Sequence, residues 1–150
     1  PSPSPSDTPR SGASRSDFAA LDWGTVWRAA VSTATFVLPI AILQMWLRET
    51  DRIEASDPLN LFLYAVILGG GALGGFAASK LAPRLPLQHG AAAPALTVLA
   101  IQFGGAIRRL IAGEEISSPL GWVLIAMTMA VMGMFGAWVN EQVAPPKREE

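Results

Sequence analysis

Pro58-Leu59-Asn60-Leu61-Phe62-Leu63-Tyr64-Ala65-Val66-Ile67-Leu68-Gly69-Gly70-Gly71-Ala72-Leu73-Gly74-Gly75-Phe76-Ala77-Ala78-Ser79 is the stretch whose reading decides the fold. It contains no Asp, Glu, Lys or Arg, and three further windows, 29–47, 85–107 and 116–140, share that property. The chain has 150 residues with 11 Lys and Arg against 12 Asp and Glu, a net charge of −1. Every one of those charges falls between or outside the four windows. A soluble domain cannot segregate charge in this way, because its helices and strands each need a wetted face. An apolar helix of about 20 residues, in contrast, crosses a hydrocarbon layer ~30 Å thick. The pattern predicts an all-α membrane protein with four transmembrane helices and excludes a soluble enzyme.

Outward from that stretch, the spans are expected at Thr25–Leu47, Pro58–Lys80, Gln88–Ile107 and Pro119–Asn140. Asp57-Pro58 and Ser118-Pro119 each read as an N-cap followed by proline at the first helical position. The link Ala82-Pro83-Arg84-Leu85-Pro86 separates spans two and three. Residues 1–24, opening PSPSPSDTPRSGASRSDFAA, are expected to be a disordered Pro/Ser-rich cytoplasmic tail, since so few apolar groups cannot offset the entropy of ordering. The late start of the first apolar run, and the three spans after it, argue against a signal peptide. Residues 25–140 then form the bundle and 141–150 a polar cytoplasmic tail.

Trp27, Trp46, Trp122 and Trp138 fall near span ends, where an amphipathic ring suits the headgroup layer. Orientation follows from Lys and Arg. Arg10, Arg15, Arg28, Lys80, Arg84, Lys147 and Arg148 lie on one side, and Arg48, Arg52, Arg108 and Arg109 on the other. Seven against four places both termini in the cytoplasm of a bacterial plasma membrane.

A shift of 61 residues aligns 29–79 with 90–140 without a gap, matching 13 of 51 positions where about five are expected by chance. The matches include Arg48/Arg109, Glu54/Glu115, Ser56/Ser117, Pro58/Pro119 and Leu59/Leu120. The expectation is a tandem duplication of a two-helix hairpin, its halves related by an axis along the membrane normal. Convergence on small apolar residues is the alternative.

In a bilayer, helices associate where small residues let backbones approach. Span two carries Gly70/Gly74 and Gly71/Gly75, two overlapping GxxxG pairs; span four offers Ala126/Ala130 with Gly133 and Gly136; span three offers Ala100/Gly104 and span one Ala30/Ala34. Helix two is therefore expected at the centre of the packing. A glycine gate or a self-association face is the more elaborate reading of the same residues. Pro39 and Pro94 lie inside spans one and three, and each removes a backbone hydrogen bond.

No ionisable residue occupies mid-membrane, where one would mark a proton or ion path. The polar candidates are Gln44, Gln102, Ser32, Thr33, Thr35, Thr97 and Thr128, with His89 at the start of span three. Gln44 and Gln102 suit interhelical hydrogen bonds, and His89 an interfacial cap or headgroup contact rather than a pH sensor. Arg108 and Arg109, beside Glu114 and Glu115, and Arg48, beside Glu49, suit either snorkelling side chains or a lipid phosphate site, because the guanidinium fork matches phosphate. With no cysteine and one histidine, no catalytic residue, cofactor site or metal site is expected. Near-neutral charge gives no field for nucleic acid.

Gly74-Gly75-Phe76-Ala77-Ala78-Ser79-Lys80-Leu81-Ala82-Pro83-Arg84, running into Pro86-Leu87-Gln88-His89-Gly90-Ala91, resembles a pattern in uncharacterised small four-span bacterial, often actinobacterial, integral membrane proteins. There a glycine pair ends helix two, a short basic link follows and His-Gly opens helix three. The resemblance covers about residues 22–140 and implies topology without activity. Small multidrug-resistance transporters also have four spans, but their helix-one glutamate has no equivalent before Glu49; four-span quinone reductases use paired cysteines, absent here. The expected function is a non-enzymatic accessory, scaffold or modulator of the cell envelope. It would be surrounded by membrane lipids and associated as a homo-oligomer or with a larger membrane protein. The alternatives are a small oligomeric transporter or channel and, last, a lipid- or isoprenoid-processing enzyme.

Overall fold

A computed structural model describes residues 21–82, 84–116 and 118–143. The chain forms four α-helices, α1 (Trp23–Glu49), α2 (Pro58–Leu81), α3 (Pro86–Ala112) and α4 (Pro119–Val143), with no strand among the described residues. Each is long and apolar enough to cross a membrane. Large apolar side chains point outward on every helix, among them Phe36, Leu61, Phe103 and Leu120. Continuous apolar surface of this extent is at home in hydrocarbon and would aggregate in water, so the architecture is that of a multi-pass membrane bundle.

Local chemistry sets the helix ends. Asp22 caps α1, its carboxylate accepting from the Gly24 N–H at 3.0 Å and the Thr25 hydroxyl at 2.7 Å. Asp57 caps α2 by accepting from the Leu59 N–H at 2.8 Å, with Pro58 at the position where a missing N–H costs nothing. Gly113 ends α3 in the left-handed conformation, φ 72°, which glycine adopts without the Cβ penalty. α1 extends two residues past the expected span at each end, and α2 one residue past its expected end, to Leu81. α3 differs most, beginning at Pro86 and running to Ala112. Leu21 is buried and Asp22 caps α1, so residues 21–24 belong to the bundle rather than to the tail; at the other terminus 141–143 continue α4. The tails proper, 1–20 and 144–150, lie outside the described residues.

The helices alternate in direction, so two ends can be distinguished. The termini end holds the starts of α1 and α3, and the hairpin end holds the α1–α2 and α3–α4 turns. α2 and α3 each touch the other three helices, whereas no Cα of α1 comes within 8 Å of a Cα of α4. The section is thus a rhombus with α2 and α3 across its short diagonal. A two-fold axis exchanging the two hairpins would pair α1 with α4 as it pairs α2 with α3, and the packing lacks that pairing.

Burial is concentrated towards the termini end. Gly74, Gly75, Ala78, His89, Gly90, Ala93, Pro94, Gly133, Gly136 and Ala137 are buried there. Past Val98, no residue of α3 is buried, and neither is any residue of α4 before Met129. Only α1 and α2 stay closed together towards the hairpin end, through Leu63, Ile53 and a buried pair of amides.

Candidate functional site

The packed half is built from glycine. A Cβ added at Gly75 would overlap the Gly133 carbonyl, one at Gly133 the Gly90 carbonyl, and one at Gly136 the Ala72 carbonyl. These are backbone contacts between α2, α3 and α4, in which Cα–H groups lie against carbonyl oxygens and no side chain could be moved aside. The Gly90 carbonyl is the one that Pro94, four residues on, leaves without its helical N–H partner. At the other expected packing glycines an added Cβ would meet side chains instead: Thr33 at Gly74, Val37 Cγ2 at 2.8 Å at Gly70, and Met129 Cε at 2.9 Å at Gly71. Ala126 and Ala130 are half-buried and lie outside this knot.

Most buried polar groups are spent on structure. The hydroxyls of Thr33, Thr35 and Thr128 each donate to the carbonyl four residues earlier, so none presents a free donor to a path. Thr97 Oγ1 lies 2.9 Å from the Ala30 carbonyl and 3.0 Å from that of Ala93, sharing its proton across the α1–α3 seam. Gln44 donates to Asn60 Oδ1 at 2.8 Å, and Asn60 donates to the Ala55 carbonyl at 2.8 Å. Asn60 did not stand out in the sequence, though a lone amide just inside span two is at the depth to meet Gln44 just before the end of span one. His89 is buried; its Nε2 accepts the Asp22 N–H at 3.1 Å and its Nδ1 lies 2.9 Å from the Leu85 carbonyl. The neutral ring protonated at Nδ1 satisfies both contacts, and ties the start of α1 to the first turn of α3. His89 therefore serves as an internal staple rather than a headgroup contact. Asp22, its backbone partner, has a carboxyl held below the ordinary 3.8, chiefly by the Thr25 hydroxyl and then the Thr25 N–H.

Above the Thr97–Ala30 hydrogen bond the seam opens. A groove of about 550 Å³ runs along α1 from Trp27 to Met45 and along α3 from Leu96 to Arg109, with Trp122 of α4 contributing to its wall. Its lining is apolar and largely small: Ala30, Ala34, Ala41, Ala100, Gly104 and Gly105 alternate with Val31, Leu38 and Ile42. A Cβ at Gly104 or Gly105 would meet nothing within 4 Å. Gln102 lines the groove with no hydrogen bond among the described residues.

Arg108 and Arg109 stand at the hairpin end of this groove. Arg108 donates to Glu49 at 3.0 Å in an exposed pair that bridges α3 to α1. Arg48, expected with them, is exposed and takes no part in the groove lining. Trp122 departs from the expected belt. Trp23, Trp27, Trp46 and Trp138 are exposed, whereas the Trp122 indole nitrogen is shielded and lacks a hydrogen-bond partner among the described residues. No group of three or more His, Cys, Asp or Glu side chains able to hold a metal occurs among the described residues. Comparison with known proteins adds no relative: no family model, no curated protein and no solved structure matches the chain.

Proposed function

We propose that the chain is a non-enzymatic component of a bacterial cytoplasmic membrane, with both termini inside, that works by holding a bilayer constituent in the α1–α3 groove. The observation that carries this reading is the groove itself. It is an apolar recess of a size that takes a small ligand, on the flank of a bundle whose exposed surface belongs in hydrocarbon. A recess on the flank of the bundle suits a modulator whose ligand arrives along the membrane. A transport path within one chain finds less support, since the centre of the packed half is filled by backbone contacts and the threonine hydroxyls bond to carbonyls.

The test is Gly104→Phe, which fills the groove without touching the packed half. We expect the purified full chain to carry a membrane-derived constituent through mild detergent, and the variant to lose it while keeping its helicity and unfolding temperature. Equal retention by both proteins would refute the reading. A reporter fused after Glu150, active only outside the cell, would overturn the orientation.

A further inference from the structure

One buried polar tie of this bundle differs chemically from the rest. Among the described residues the buried polar side chains are those of Thr33, Gln44, Asn60, Ser79, Thr97 and His89. Hydroxyls and amides keep the same donors and acceptors at every ordinary pH. An imidazole changes charge between about pH 5 and 8 and, once charged, has donors only. In His89, Nε2 accepts the Asp22 N–H at 3.1 Å, and the proton sits on Nδ1, 2.9 Å from the Leu85 carbonyl.

A proton added to Nε2 points straight at the Asp22 N–H, and two facing donors form no hydrogen bond. That N–H has no other acceptor among the described residues. The Asp22 carboxylate carries the opposite charge, but its oxygens already cap α1, accepting from the Gly24 N–H at 3.0 Å and the Thr25 hydroxyl at 2.7 Å. Pairing with an imidazolium would draw it off the cap. The other charged groups that the packed elements carry at this end are Arg28 of α1, Lys80 of α2, Arg84 of the link and Glu141 of α4, all exposed. The Lys80 ammonium lies 4.4 Å from the centre of the Phe76 ring. Three cations and one acid offer no net counter-charge that keeps an imidazolium in this seat.

What the tie holds is short and separable. It joins residues 67 apart in sequence, and ahead of α1 it is seconded by buried Leu21. From Val26 onward α1 is held independently, by buried Val26, Ala29 and Ala30 and by the Thr97–Ala30 hydrogen bond. Loss of the tie therefore opens the first turn of α1 and leaves the bundle closed, a local opening rather than global unfolding.

We propose that His89 is a proton-operated latch: the neutral ring holds the start of α1 against α3, and the charged ring lets Leu21 and Asp22 go. The latch is independent of the groove and of its occupant.

The experiment takes the full chain in micelles and follows the Asp22 amide by hydrogen exchange, corrected for the intrinsic pH dependence of the rate. The ring nitrogen resonances of the single histidine report its protonation in the same sample. We expect Asp22 protection to fall about tenfold or more between about pH 7.5 and 5, in step with the ring titration, while that of Thr33 holds. The Asp22 carboxyl titrates below 3.8 and does not change charge in this window. His89→Gln supplies an uncharged acceptor and donor and should keep Asp22 protected at both pH values. Protection that survives ring protonation, a ring that stays neutral throughout, a parallel fall at Thr33, or the same acid-driven loss in His89→Gln overturns the latch. If glutamine does not fit the seat, seen as lost protection at both pH values, the paired wild-type titrations decide alone.

Discussion

The two halves of the bundle use small residues to opposite ends. Towards the termini, Gly75, Gly90, Gly133 and Gly136 bring three backbones into contact, so that carbonyl oxygens occupy the space where side chains would stand. Towards the hairpins, Gly104 and Gly105 face open space along a groove. The same residue type thus closes one half and hollows the other. What separates them is the neighbour. α4 crosses α2 and α3 closely in the first half, while α1 and α4 never approach each other and leave α3 flanked by a recess in the second.

The contrast breaks most visibly under a single methyl group. Gly75→Ala and Gly136→Ala force a methyl group into a carbonyl and should each cost about 2–3 kcal/mol, the upper range for overpacking. Gly104→Ala should be neutral or stabilise by up to ~1 kcal/mol through helix propensity. Reversible unfolding in mixed micelles measures all three, and similar values for Gly75→Ala and Gly104→Ala would erase the distinction between the halves. Gly71→Ala sharpens it, because its methyl meets the end of the flexible Met129 side chain and the cost should stay below ~1 kcal/mol.

Smaller effects come from the polar ties. A double-mutant cycle on Gln44→Leu and Asn60→Leu should give a coupling of roughly 1 kcal/mol, typical of interhelical hydrogen bonds in membranes. A coupling near zero would mean that α1 and α2 need no polar tie at the hairpin end. The smallest effect belongs to Asp22. Its folded carboxyl titrates below the ordinary 3.8, so the stability it contributes is present above that value and is lost as pH falls through the lower, folded one. Unfolding temperatures of wild type and Asp22→Asn should converge as pH drops from 4 to 2, and a constant difference would contradict the cap.

Much of the fold was legible because charge is expelled from hydrocarbon. The spans, the Asp57-Pro58 start of α2 and the close approach at Gly75 and Gly136 all follow from residue type and spacing. The splay of α3 was not legible. Lipid tails are as apolar as a protein core, so Leu99, Phe103 and Ile107 facing the bilayer read the same as leucines facing another helix. For the same reason Ala100 and Gly104 looked like packing residues and instead line the groove. Gln44 was legible as a polar contact while Asn60 was not, since the register between two helices is set by the turn joining them. Trp122 has the sequence position of a belt residue, and only the recess beside it shields its indole nitrogen.

The central claim is that α3 is packed up to Val98 and exposed to the bilayer beyond it, and a nitroxide scan along that helix tests it most directly. The chain has no cysteine, so each position from Leu99 to Leu110 can be replaced singly by cysteine, labelled, and read by collision with oxygen in a phosphatidylglycerol bilayer. The account predicts that Ala100 and Gly104 are about as accessible as Leu99 and Phe103, with shallow dips only at the half-buried Ile101, Gln102 and Ala106. A recurring minimum through Ala100, Gly104 and Ile107 would mean that α3 is packed along its whole length, and would contradict the groove.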